Sequence, residues 1–105
     1  MPLISYNHVG ITALAACVPR HIIDNYKYDL DIWPEDEVRQ VVDKVGVFER
    51  RFADDLTCSS DLCYAAAERL FEDNEIDRNE IDLLVFLSQT PDYRMPATSI
   101  LLQDR

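Results

Sequence analysis

Apolar residues are spaced along this chain in two ways, as continuous runs and as stripes three and four residues apart. From Val9 to Val18 the residues are mostly apolar or small, with Ile11, Leu14 and Cys17 set among alanines until Pro19. The run predicts a buried strand, and Ala13, Ala15 and Ala16 would let neighbouring elements approach its backbone closely; helix is the competing reading. Ile81 and Leu83 to Leu87 form a second run, broken only by Asp82, and read as an inner strand that needs cover on both faces. Between them, Val38, Val41, Val42 and Val45 fall at i, i+3, i+4, i+7, as do Cys63, Ala66, Ala67 and Leu70, with Phe71 at i+8. Each set is one stripe of a helix.

Local signals bound these elements. Pro34 suits the first position of a helix, Glu35, Asp36 and Glu37 place negative charge at its positive end, and Gly46 supplies a left-handed stop. Val47–Phe52 reads as a short strand or extended crossing, broken by Asp54-Asp55, and Thr57, Ser59 and Ser60 are possible N-caps of the next helix. Residues His21 to Trp33 show no period and contain Asp24-Asn25 and Asp29, which predicts a loop with one helical turn at most. Asp77 and Glu80 have capping-box spacing around a single turn. Pro96 begins a last helix through Thr98, Ile100, Leu101 and Leu102, which has no cap before Arg105, so the ending reads as a cut rather than the finish of a domain. A helix followed by a buried strand implies an α/β architecture with a parallel sheet, and ligands gather at the carboxyl ends of such strands, here at Ser88–Asp92.

Composition narrows the function more than the fold. With 105 residues, one core is the ceiling, and 48% hydrophobic residues argue for a soluble globular piece despite 29% charged ones. A formal charge of −10, with no basic cluster longer than Arg50-Arg51, excludes nucleic acid and anionic membrane surfaces as natural partners. Cys17, Cys58 and Cys63 cannot all pair and show no metal-type spacing, which fits a reducing, cytoplasmic setting, and no signal peptide or membrane-spanning run is present.

Chemistry is sparse on spacing alone. Only His8 and His21 could act as imidazole bases for a thiol; Cys17 and Cys63 lie on apolar stripes and read as inert core, while Cys58 sits near a helix start. The carboxylate groups read as solvated helix ends, and with only Gly10 and Gly46 there is no phosphate-binding glycine loop. These residues describe an α/β piece without a stated activity.

Longer strings carry more. Val9-Gly10-Ile11-Thr12 with Val18-Pro19, then Val45-Gly46-Val47-Phe48-Glu49-Arg50-Arg51-Phe52-Ala53-Asp54, then Ser59–Ala67, Ile81–Val85 and Thr90-Pro91-Asp92-Tyr93-Arg94-Met95-Pro96-Ala97-Thr98 together resemble the amino-terminal part of β-ketoacyl-acyl-carrier-protein synthase III. Hydroxymethylglutaryl-CoA synthases and secondary-metabolite condensing enzymes share parts of the pattern. The resemblance implies that residues 1–105 form a partial thiolase-like domain, the amino-terminal part of a five-layered αβαβα architecture.

For the parent enzyme the resemblance implies a cytoplasmic homodimer that uses acyl-CoA and acyl-carrier protein as substrates, with no cofactor. Its Cys-His-Asn site performs a decarboxylative Claisen condensation in fatty acid biosynthesis. The family's cysteine lies beyond the counterpart of Arg105, so no cysteine here is assigned that role and the piece alone is expected to be inactive. Two substrate-binding positions carry over: Lys44, where the family often has an arginine that meets the CoA phosphates, and Met95, where a bulky residue often lines the acyl pocket across the dimer interface. Gln40 stands where familiar members carry an adenine-stacking tryptophan; Trp33, earlier in the chain, is a possible substitute. A stand-alone, non-catalytic interaction module is the alternative reading.

Overall fold

The structure, a computed structural model, describes residue 3 and residues 5–28 and 30–105. Strand β1 (His21–Asp24) is followed by helix α1 (Glu35–Val45), strand β2 (Glu49–Phe52), helix α2 (Ser59–Asn74), a single 3₁₀ turn (Arg78–Glu80) and helix α3 (Thr98–Asp104). The strands pair antiparallel, His21 opposite Phe52 and Asp24 opposite Glu49, so α1 is the long connection of a two-stranded ribbon.

Helix α1 follows its valine stripe. Its first helical residue is Glu35 rather than Pro34, because Pro34 has an extended ψ of 143° and acts as N-cap, its carbonyl accepting from Val38 N at 3.1 Å. Gly46 ends the helix at φ 75°, and its N–H donates to the Val42 carbonyl at 2.8 Å, the left-handed stop expected. On α2 the N-cap is Cys58, not Thr57, Ser59 or Ser60. The Asp61 carboxylate accepts the Cys58 N–H at 2.9 Å and so satisfies a donor that a cap side chain would not reach. Asp77 caps the single turn by accepting from Asn79 N at 2.9 Å.

The sequence expectation missed β1. Its four residues, His-Ile-Ile-Asp, are too few to show a period, and their extended form is set by β2 across the ribbon. The turn that follows is fixed by Asp24, whose carbonyl accepts from Lys27 N and Tyr28 N, each at 3.1 Å.

Two expected strands need correction. Neither Val9–Val18 nor Ile81–Leu87 pairs into a sheet among the described residues, and neither is buried: Ile11 is 89% and Leu87 94% exposed. Both remain non-helical, and Ala13, Ala15, Cys17 and Pro19 are half-buried in alternation with exposed neighbours, the period of an extended chain with one face covered. A strand forms only where a second backbone supplies complementary N–H and C=O groups. Arg51 Nη1 touches the end of the first run, donating to the carbonyls of Pro19 at 3.2 Å and Arg20 at 3.3 Å, but no ladder follows.

The one core that the length allows is barely formed among the described residues. A folded protein of 12.2 kDa exposes about 6,100 Å², whereas this chain exposes 9734 Å². Its radius of gyration is 19.0 Å, against about 13 Å for a compact domain of this length. Val42, at 7% exposure, is the buried apolar residue of the described chain. The secondary structure is thus formed while its apolar faces stay open.

Candidate functional site

Two clefts and one buried polar cluster are the candidate sites. The first cleft, about 580 Å³, runs between α1 and the turn after β1. Val38, Val41 and Val42 form its wall, with Tyr28, Trp33 and Arg50 at its margin. The Arg50 guanidinium lies 4.3 Å from the Tyr28 ring centre and 5.3 Å from that of Phe52, a cation held between two aromatic faces. The second cleft, about 600 Å³, lies between α2, α3 and residues 81–86, and Phe71, Leu84 and Ile100 are among its apolar lining. It covers the clearest helical stripe in the sequence, yet Cys63 on that stripe is exposed, contrary to its expected core position. The face carrying it is covered only in part, with Ala66, Ala67, Leu70 and Phe71 half-buried.

The polar cluster joins the start of α2 to the turn after residues 81–87. Ser60, 3% exposed, donates its hydroxyl to Asp92 Oδ2. Ser59 Oγ donates to the Thr90 carbonyl at 2.9 Å, and Thr90 N donates to Ser88 Oγ at 3.0 Å. Thr98, 4% exposed, opens α3, the helix that packs on α2. Asp92 Oδ1 and Thr98 Oγ1 are buried with no hydrogen-bond partner among the described residues. Nearby, Arg105 closes an ion pair with Asp61 at 2.9 Å and lies 4.7 Å from the Tyr64 ring centre. The Cys58 N–H, and after it the Arg105 guanidinium, holds the Asp61 carboxyl below its ordinary range.

Of the positions singled out from sequence, Lys44 lies exposed in the last turn of α1, where its charge complements the negative end of the helix dipole. Met95 is 84% exposed in the segment before α3. Neither Lys44 nor Met95 lines either cleft, so the two are not brought to one cavity. Trp33 does line the first cleft, and Gln40 does not. Among the described residues no hydrogen bond joins Cys17, Cys58 or Cys63 to His8 or His21, and no metal-binding group of three or more His, Cys, Asp or Glu residues forms. No helix among them is long and apolar enough to cross a membrane.

Sequence reading missed the Ser60–Asp92 contact. Ser60 looked like an N-cap and Asp92 like a turn former; each assignment used only near neighbours, while the bond spans 32 residues. The usable signal was that the Ser-Ser-Asp and Thr-Pro-Asp strings occur in the same chain, each beside an apolar element.

Comparison with known proteins places this arrangement. No protein-family model matches the chain. β-Ketoacyl-[acyl-carrier-protein] synthase III of Desulfitobacterium hafniense (strain Y51) is 35% identical over 97 residues, 92% of this chain and 29% of that protein. The enzyme of the same name from Syntrophomonas wolfei is 31% identical over 96 residues, 91% of this chain and 28% of its relative. A crystal structure of 3-oxoacyl-(acyl-carrier protein) synthase from Burkholderia xenovorans LB400 matches with a TM-score of 0.81 at 40% identity, over 88% of this chain and 27% of the other. The chain therefore spans less than a third of the length of the relatives it matches. Regular elements hold fewer than half of its residues, so a match over 88% extends well beyond them. The fold is a partial thiolase-like α/β fold, as the sequence implied.

Proposed function

We propose, taking as premise its relation to β-ketoacyl-acyl-carrier-protein synthase III, that this chain is the amino-terminal part of a condensing enzyme acting in fatty acid biosynthesis. The single observation that carries the reading is the structural match at a TM-score of 0.81, joined to sequence identity over nine-tenths of the chain. The open apolar faces support it as well, because a thiolase-like half needs further strands and helices to cover them.

In this reading the reaction has two stages. A cysteine thiolate outside these residues attacks the acyl-CoA thioester, forming acyl-enzyme and releasing CoA. Malonyl-acyl-carrier protein then loses carbon dioxide, and the resulting enolate carbon attacks the acyl-enzyme, which expels the cysteine and leaves a β-ketoacyl-carrier protein. Donors aimed at the enolate and tetrahedral oxygens stabilise the developing charge. The described chain contributes binding surface: Lys44 supplies a cation for the CoA phosphates, with a point charge in place of a bidentate arginine fork. Met95 supplies an apolar wall for the acyl chain across a homodimer interface. The primer is proposed only as an acyl-CoA, because Gln40 cannot stack on adenine as a tryptophan would. A cytoplasmic location accompanies the reading.

The test is to assay the longer protein, with its downstream sequence, for acyl-CoA-dependent condensation with malonyl-acyl-carrier protein. Formation of β-ketoacyl product with release of CO₂ is expected. A downstream region without the family's Cys, His and Asn would overturn the proposal.

A further inference from the structure

The most deeply buried side chains of the described residues include two polar ones, Ser60 and Thr98, in a chain with one buried apolar residue. Burying such groups is costly unless they are hydrogen-bonded, as Ser60 is to Asp92. Ser60 holds Asp92, and Thr98 is buried at the first turn of α3, so residues 93–97 form a five-residue strap anchored at both ends. Met95 stands at the middle of that strap, projecting outward at 84% exposure. The Ser59 contacts to Thr90 and, at 3.5 Å, to Ser88 hold the approach to the first anchor.

We propose that Ser60 and Asp92 are positioning residues that fix the strap, and through it set where Met95 meets the acyl group. The proposal deepens the functional reading above and rests on Met95 being a wall of the acyl pocket. Ser60 touches no substrate; it acts by removing freedom from the segment that does. A side chain displaced by about 1 Å at such a wall changes the fit of one chain length against another.

The experiment uses the full-length enzyme and the variants S60A, D92N, S60T and M95A. Two measurements are made: kcat and KM for a short and a medium-chain acyl-CoA, and hydrogen exchange across residues 93–97. For S60A and D92N the ratio of kcat/KM between the two donors should change by about fivefold, mainly through KM, with kcat for the better donor within about twofold. Exchange in 93–97 should rise, and S60T should restore both. If M95A shifts donor preference while S60A and D92N leave it unchanged, the positioning role is overturned. If M95A also leaves preference unchanged, the reading of Met95 fails, and exchange alone judges the clamp: unchanged protection of 93–97 overturns it. Should S60A fail to fold, D92N and S60T carry the same comparison.

Discussion

Asn25 and Val47 are joined by a 2.9 Å hydrogen bond from the Asn25 side-chain amide to the Val47 carbonyl, across 22 residues that include the whole of α1. The Asn25 backbone N–H donates to the neighbouring Phe48 carbonyl, also at 2.9 Å. One residue thus closes the ribbon by two donors, beside the stacked rings of Tyr26 and Phe48. Replacing Asn25 by Ala removes the side-chain bond and keeps the backbone one. A loss of about 1 kcal/mol is expected, seen as roughly fivefold lower hydrogen-exchange protection of the β2 amides with α2 unaffected.

Gly46 and Gly10 make a controlled pair. At both, an added Cβ would meet nothing within 4 Å, but Gly46 has φ 75° and Gly10 is not in the left-handed region. Gly46→Ala should therefore cost about 1 kcal/mol through backbone conformation alone. Gly10→Ala should be near neutral, within about 0.5 kcal/mol. Equal effects in denaturant titrations of the two variants would contradict this account.

Four aspartates predict the acid response. The Lys27 ammonium leads the lowering at Asp24, the Thr57 hydroxyl at Asp54, the Cys58 N–H at Asp61, and the Asn79 N–H at Asp77. Because each folded carboxyl is held below its ordinary range, their contribution is fully present above the unfolded carboxylate range, about pH 4, and is lost as pH falls through the depressed folded values. Helical circular dichroism should hold at pH 5 and decline on acidification below about pH 4. D61N should already lack its share at neutral pH and show a smaller acid-dependent loss.

Lys44 is testable through binding rather than turnover. In the longer enzyme, Lys44→Glu should raise KM for acyl-CoA about tenfold with little change in kcat, since the phosphates stay far from the reacting carbonyl. Lys44→Arg should match or tighten the wild type by restoring a fork. A KM unmoved by the charge reversal would remove Lys44 from the binding surface.

The 105-residue chain by itself should associate. Its exposed area exceeds that of a compact protein of the same mass by a margin in the range of obligate interfaces, and Ile11, Leu83, Val85 and Leu87 are all exposed. Light scattering should report oligomers, and a dye that binds apolar surface should fluoresce. A monodisperse monomer without dye binding would contradict the prediction.

The sequence by itself determined α1 and α2, the Gly46 stop and the turn capped by Asp77, because each is set by partners within about five residues along the chain. It also carried the family resemblance, whose strings are local. Only the tertiary structure decided that His21–Asp24 is a strand, that Cys58 rather than a hydroxyl residue caps α2, and that Ser60 turns inward to Asp92. It likewise decided that Val9–Val18 and Ile81–Leu87 stay non-helical and without a ladder. A helix satisfies its backbone from within itself, whereas a strand or a buried hydroxyl takes its partner from a distant part of the chain, and no local spacing records which part arrives.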